Sequence, residues 1–151
     1  MKGLFFIDNK YLPPNRLVEN NIVIHIRLGD ALYDGRRNEL LDFNKKLIKL
    51  LDKFILNFPH YTIYIHSNGD PNFLDKNKYK YKFYPESTPL INVFSDLIHA
   101  KIFVCGNSAL SKICTFLGNH ELIIIPDDTK HSMPENCITM SDYINLSLIH
   151  I

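Results

Sequence analysis

Residues 21–26, with the sequence NIVIHI, constrain the fold of this 151-residue chain more than any other segment. A run of apolar, β-branched residues of this length predicts a strand buried on both faces, as in a parallel sheet. Arg27, Gly29 and Asp30 follow within four positions. Because open α/β sheets bind ligands beyond the carboxyl ends of their strands, we expect a site here. The planar guanidinium of Arg27 can bond two oxygens at once, which favours a phosphate or carboxylate ligand.

Strand-like and helix-like segments alternate along the rest of the chain. Apolar residues with three-and-four spacing predict a helix over 39–57. Further strands are predicted at 61–66, 102–105 and 122–125, with weaker ones at 80–84 and 137–140. This alternation predicts an α/β fold, a single Rossmann-like domain with a mainly parallel sheet and helices on both faces. Residues 1–20 are then a leading segment, and residues 21–151 form the domain.

Two shorter helices are placed by their capping residues. Residues 87–89 supply an N-cap and a proline suited to the first helical position. Asn107 or Ser108 caps the next helix, which Gly118 ends. Residues 143–151 fit a helix or a strand equally well. The buried stripe of the first of these helices is predicted to consist of Leu90, Val93, Phe94, Leu97 and Ile98.

The charge balance gives no reason to expect nucleic acid or an anionic membrane as a partner, because the net charge is +1 and the calculated pI is about 7.7. The run 76–82, rich in lysine and tyrosine, could bind single-stranded nucleic acid. A solvated loop or an edge strand protected by lysines explains that run more simply.

Compartment is predicted from the apolar segments and the cysteines. No stretch of about 20 apolar residues could span a bilayer, and no apolar core of signal length stands at the N-terminus. The three cysteines, Cys105, Cys114 and Cys137, lack CxxC spacing. Nothing in this pattern indicates a disulfide framework or a zinc site, which favours a reducing compartment, so we expect a cytoplasmic protein.

The residues at the predicted strand ends form a candidate site, although each also has a structural interpretation. His25 is either a core histidine or a ligand contact, and Asp30 would orient Arg27 or its loop. Arg27 would otherwise form an internal ion pair, since an isolated buried charge is costly. Asp70 lies in an Asn-Gly-Asp-Pro turn, and its carboxylate could instead accept two hydrogens from a nucleobase edge.

Asn107 and Ser108 stand where a strand meets a helix. Free N–H groups at a helix start, with the positive end of the helix dipole, attract anions, and a simple N-cap is compatible with that role. No Asp-x-Asp sequence occurs, and the seven histidines show no metal-ligand spacing. We therefore expect a site that needs no metal.

The pattern His25-x-Arg27-x-Gly29-Asp30 after a β-branched strand resembles the nucleotide-sugar motif of fucosyltransferases, especially the α-1,2 and α-1,6 types. Residues 61–71, ending in Asp70-Pro71, resemble the second motif of that family, and residues 101–118 resemble the third. The three motifs occur in the family's order. Three family features are absent, because Leu28 replaces the second arginine, Gly69 replaces the first acid of an acidic pair, and no aromatic pair follows the serine turn.

This resemblance implies the C-terminal, donor-binding half of a GT-B fold, with GDP-fucose as the donor and a glycan as the acceptor. Arg27 would be the catalytic residue, because it would offset the charge that develops on the leaving diphosphate. His25 would contact the nucleotide, and Asp70 would accept hydrogens from guanine or ribose. Residues 1–20 are too few for a second Rossmann-like half. We therefore expect a weak transferase unless a homodimer or an N-terminal half completes the cleft.

Two other functions fit the same sequence. The first is a degenerate module that binds a nucleotide sugar without turnover. The second is a serine hydrolase, in which Ser108 would be the nucleophile and Asp127, Asp128 and His131 would follow in hydrolase order. Leu110 argues against the hydrolase, because it replaces the second glycine of the nucleophile turn.

Overall fold

The computed structural model of the chain describes residues 14–26, 37–127 and 133–146. Its elements begin with β1 (Asn21–Ile26) and α1 (Arg37–Asn57) and continue with β2 (Thr62–Ser67), β3 (Lys82–Tyr84), α2 (Leu90–His99), β4 (Ile102–Val104), α3 (Ala109–Leu117), β5 (Leu122–Ile125), β6 (Cys137–Thr139) and α4 (Met140–Asn145).

The six described strands form one sheet in the order β3-β2-β1-β4-β5-β6, and every neighbouring pair is parallel. Successive strands are first added on one side of β1 and then on the other. The order therefore reverses between β1 and β4, as in doubly wound nucleotide-binding folds. In register, His25 of β1 lies beside His66 of β2, and Ile24 lies beside Val104 of β4. The predicted α/β fold is confirmed.

Alternate residues of the strands point to opposite faces of the sheet. On one face, Ile22, Ile24 and Ile26 of β1 pack against α1 and α4. On the other face, Val23 packs with Phe103, beneath α2 and α3. Helices thus cover both faces, which explains why the central strands carry apolar residues at consecutive positions. The stripe of α1 that meets the sheet consists of Leu47, Leu50, Leu51 and Phe54, none more than 1% exposed.

The helix limits differ from the prediction in places. Helix α1 begins at Arg37, two residues before the predicted start. The prediction that a side chain of residues 87–88 caps α2, with Pro89 as the first helical residue, was wrong. Pro89 occupies the N-cap position with ψ of 135°, and no side chain caps the helix. Its carbonyl instead accepts the first bonds, from the N–H groups of Asn92 and Val93. The prediction that Leu90 is buried was also wrong, since Leu90 is 68% exposed.

Other local predictions agree with the structure. Ser108 rather than Asn107 caps α3, and Gly118 occupies its C-cap position. The ambiguous C-terminal segment is helical as far as Asn145, and residues 147–151 lie outside the described residues. Strand β3 forms an edge of the sheet and begins with the exposed Lys82, as the interpretation of a lysine-protected edge predicted.

Candidate functional site

The candidate residues follow three adjacent strands at the carboxyl edge of the sheet. Asp70 follows β2, Arg27 directly follows the last residue of β1, and Asn107 and Ser108 follow β4. Because β2, β1 and β4 are neighbours and parallel, these strand ends lie side by side. Arg27 and Asp30 themselves lie outside the described residues, in the gap 27–36. The sheet thus brings the ends of these three strands to one edge, at the point where the strand order reverses.

The turn after β4 packs directly on the end of β1. A Cβ atom placed on Gly106 would lie 2.5 Å from the carbonyl oxygen of His25 and 3.5 Å from its Nδ1. Any side chain at position 106 would therefore push the two strand ends apart. Glycine is required here because the two backbones approach so closely. His25 itself is half-buried.

Hydrogen bonds fix the turn that leads into α3. The Gly106 N–H donates to Ser111 Oγ at 2.7 Å, and the Ser111 N–H donates to Ser108 Oγ at 3.2 Å. Ser111 is completely buried, so it has a structural role. The first bond within the helix runs from the Lys112 N–H to the Ser108 carbonyl at 3.0 Å. The N–H groups of the first two helical residues come before that bond and have no acceptor within the helix. They are therefore oriented so that they could bind an anion at the helix start.

Asp70 lies at a cavity next to the edge strand. This cavity has a volume of about 370 Å³, within the range of about 300–1,000 Å³ that small-molecule sites occupy. Asp70 is exposed, and the Asn72 amide, oriented by its hydrogen-bond partners, donates to its two oxygens at 2.8 and 3.1 Å. The cavity combines flat rings with both signs of charge, and its lining consists of Asp70, Lys76, Tyr79, Lys80, Tyr81 and Phe83.

Two tyrosines of this cavity differ in their polar contacts. The hydroxyl of Tyr79 donates to Asp52 at 2.7 Å, which anchors the segment to α1. The Tyr81 hydroxyl is buried and makes no hydrogen bond in the described structure. Burial raises the pKa of Tyr81, and the negative charge of Asp70 adds to that increase. The Tyr81 hydroxyl is therefore a proton donor with no acceptor of its own among the described residues.

A partly buried ionic network that the sequence analysis missed lies near the same edge. Arg16 donates to both oxygens of Asp96, from Nε at 3.0 and 3.1 Å and from Nη2 at 2.6 Å. Asp96 Oδ2 also lies 2.8 Å from His66 Nε2. The His66 ring stacks on Tyr84 with centroids 4.9 Å apart, and the Arg16 guanidinium lies 4.6 Å from the centroid of that tyrosine. This network ties residues 14–20, β2, β3 and α2 together.

The charges of this network explain the ionisation of Asp96. Asp96 is 1% exposed, and burial alone would raise the pKa of its carboxyl. The hydrogen bonds from His66 and Arg16 outweigh burial and hold the pKa of Asp96 below its usual value. One sequence signal could have found this residue, because an aspartate inside the apolar stripe of a helix requires a partner.

The geometry gives little support to nucleophilic chemistry at the α3 turn. Ser108 has extended backbone angles, φ −137° and ψ 157°, and its oxygen caps the helix. Asp127 accepts bonds from Lys46 and from the backbone and hydroxyl of Ser141, whereas Asp128 and His131 lie outside the described residues. Burial raises the pKa of the Cys105 thiol to about 11, so this thiol is protonated at neutral pH.

In the ranges that the structure describes, no three histidine, cysteine or acidic side chains are grouped so as to hold a metal ion. None of the helices in those ranges combines the length and the hydrophobicity of a membrane span. Comparisons of the chain with protein-family models, with curated proteins and with solved structures find no match.

Proposed function

We propose that this chain is a donor-binding domain of the fucosyltransferase-like type, which binds GDP-fucose and serves the transfer of fucose to a glycan. The observation that carries the proposal is the strand order. It puts the end of β1, which carries His25, next to the turn that begins at Gly106, where the sheet order reverses. Doubly wound sheets bind nucleotides at this position.

The diphosphate of the donor would lie between the start of α3 and the segment that follows β1. Helix α3 presents two N–H groups and the positive end of its dipole, and Ser108 can donate its hydroxyl hydrogen while its oxygen accepts from Ser111. Arg27 follows β1 directly and would bond two phosphate oxygens. Backbone dipoles and a guanidinium together balance the charge of a diphosphate without a metal ion.

The nucleoside of the donor would extend toward β2 and β3. Neighbouring strands are about 4.8 Å apart, so the end of β2 lies within nucleotide reach of the end of β1. Asp70 would accept hydrogens from guanine or ribose, while the aromatic rings of the adjacent cavity would contact the base. Guanine offers two donors on one edge, which suits a carboxylate better than the single imide donor of uracil does.

Arg27 would also act on the chemical step. When the bond between fucose and the diphosphate breaks, negative charge increases on the leaving phosphate, and a fixed cation stabilises that charge more in the transition state than in the ground state. Leu28 stands where the resembled family has a second arginine, so this site has one cation fewer. We therefore expect donor binding to be better preserved than transfer.

The proposal is tested by calorimetric titration of GDP, GDP-fucose, UDP and ADP into the purified chain. One charge-assisted contact contributes roughly 1.5–3 kcal/mol, so Arg27→Ala should weaken GDP binding by about tenfold to a hundredfold. Arg27→Lys should restore only part of the affinity, because an ammonium cannot bond two oxygens in one plane. EDTA should leave GDP binding unchanged.

Lys49→Ala is the matched control, because it removes one exposed positive charge from α1, away from the carboxyl edge. An Arg27→Ala variant that binds GDP as the wild type does would refute the proposed role, as would loss of GDP binding in EDTA. Release and transfer of labelled fucose from GDP-fucose, with galactose- and N-acetylglucosamine-terminated acceptors, then separates a transferase from a module that binds without turnover.

A further inference from the structure

His120 lies at the point where the C-terminal ends of two helices meet, at the opposite edge of the sheet from the candidate site. Only 8% of this residue is exposed. Its Nδ1 lies 2.7 Å from the carbonyl oxygen of Ala100, the C-cap residue of α2. Its Nε2 lies 3.0 Å from the carbonyl oxygen of Cys114, in the last turns of α3. Each ring nitrogen therefore faces a backbone acceptor of a different helix.

A carbonyl oxygen has no hydrogen to donate, so each of these contacts requires an N–H on the ring. A neutral imidazole carries one N–H, and its other nitrogen would direct a lone pair at a carbonyl oxygen. The imidazolium carries two N–H groups and can donate to both carbonyls. The geometry of both contacts is therefore satisfied only by the charged ring.

The surroundings of His120 also favour a positive charge. The C-terminal ends of helices carry partial negative charge, and here two such ends lie on one ring. The ring of Phe103 lies 5.0 Å away between centroids, a distance at which an aromatic face attracts a cation. A Cβ atom on Gly118 would lie 2.1 Å from Nε2, so glycine at the C-cap makes room for the ring. Burial opposes the charge, and these contacts offset it.

We propose that His120 is an imidazolium in the folded protein and that it links the C-terminal ends of α2 and α3 only while it holds both protons. Loss of one proton breaks one of the two links and leaves two lone pairs in contact. The fold therefore contains a proton-dependent link between two helices at the edge of the sheet where the strands begin, distinct from the proposed donor site at the edge where they end.

Other ionisable groups lie near the ring and affect its charge. Glu135 is exposed and lines the same 490 Å³ cavity as His120, and its negative charge favours the protonated ring.

The other ionisable groups near the ring add little net charge. The carboxylate of Glu121, the residue after His120, lies 3.9 Å from the Nζ atom of Lys101, so these two charges largely offset each other. Cys114 is neutral, because burial raises the pKa of its thiol to about 12. His99 bonds the Ser95 carbonyl within its own helix.

The direct test is nuclear magnetic resonance of the wild-type protein labelled with ¹⁵N. At pH 7 we expect two ring N–H signals for His120 and nitrogen shifts of an imidazolium, assigned by their loss in His120→Gln. A ring with one N–H and one unprotonated nitrogen at pH 7 would overturn the proposal. This measurement needs no variant to fold, because the assignment can also be made by through-bond correlations.

The second test is the pH dependence of the folding equilibrium constant, from urea unfolding between pH 5.5 and 8.5. A hydrogen bond to a charged group changes this constant by roughly tenfold or more, so His120→Gln should fold less favourably than the wild type at pH 5.5. Above about pH 6.5, the unfolded chain loses the proton that the folded chain keeps. The advantage of the wild type should then shrink, by up to about tenfold per pH unit. His60→Gln, which changes an exposed histidine, should follow the wild type. Parallel curves for the wild type and His120→Gln would refute the proposal.

Discussion

The two faces of the sheet are stabilised in different ways. Beneath α1 and α4, the buried helix residues with described side chains are all hydrophobic, with Phe54 and Tyr143 in contact at a centroid distance of 5.7 Å. Beneath α2 and α3, four of the six buried helix residues are polar, namely Ser95, Asp96, Ser111 and Thr115. One face therefore depends on apolar area and packing, whereas the other depends on satisfied polar contacts. Substitutions should lower stability independently of pH on the first face and in a pH-dependent way on the second.

The largest expected loss comes from the apolar face. Phe54 is 1% exposed and contacts both Phe58 and Tyr143, with centroids at 6.2 and 5.7 Å. Phe54→Ala should lower the free energy of unfolding by about 3–5 kcal/mol through lost burial and the cavity left behind. The loss should be the same at pH 5 and pH 7 in urea unfolding. Leu56→Ala on the same helix is the control and should have little effect, since Leu56 is 65% exposed.

Phe54→Ala could remove most of the stability of a small domain, which is about 5–15 kcal/mol. Ile24→Val provides a smaller step on the same face and should cost about 0.5–1.5 kcal/mol. A loss that changes with pH in either variant would contradict the distinction between the two faces.

The next largest effect is expected from Asp96 on the polar face. Asp96→Asn should lower the free energy of unfolding at pH 7 by about 3 kcal/mol, the lower end for breaking a buried ion pair. The lower end applies because Arg16, 39% exposed, can turn to solvent. The pKa of Asp96 is lowered in the folded state, so its contribution is present above the unfolded value of about 3.9 and is lost as the pH falls through the folded pKa.

The difference between the wild type and Asp96→Asn should therefore shrink as the pH falls below about 4. Urea unfolding at steps between pH 7 and pH 3 measures this difference. Glu86→Gln is the matched control, because Glu86 is an exposed carboxylate with no described hydrogen bond. A difference that grows between pH 5 and pH 3 would show that the network does not stabilise the charged form of Asp96.

This contrast also explains what could be predicted from the sequence. The strands of the sheet were predictable because β-branched runs such as 22–24 and 123–125 fit a buried parallel strand and little else. The placement of His25, Asp70 and Ser108 at strand ends followed from the same periodicity. The apolar face was therefore largely predictable, since burial there depends only on spacing.

The polar face was not predictable in the same way, because its contacts join specific pairs. Arg16 and Asp96 are 80 residues apart, and His66 and Asp96 are 30 apart, so no local pattern relates them. Leu90 was expected to be buried because it fits the apolar stripe of α2. It is the first residue of that helix, however, and 68% of it is exposed to solvent. The roles proposed for Arg27 and Asp30 stay predictions, since both lie outside the described residues.

An effect on stability smaller than that of Asp96→Asn is expected at Ser108, where the polar face meets the candidate site. Its oxygen caps α3, so Ser108→Ala should lower the free energy of unfolding by about 1 kcal/mol. Ser108→Asp keeps a good N-cap and should preserve stability, but its negative charge at the helix start should repel a diphosphate. Loss of GDP binding in Ser108→Asp, with unfolding unchanged in urea, would separate binding from capping. If Ser108→Asp instead bound GDP as tightly as the wild type does, the start of α3 would not be the diphosphate site. The polar contacts of that helix would then serve stability alone.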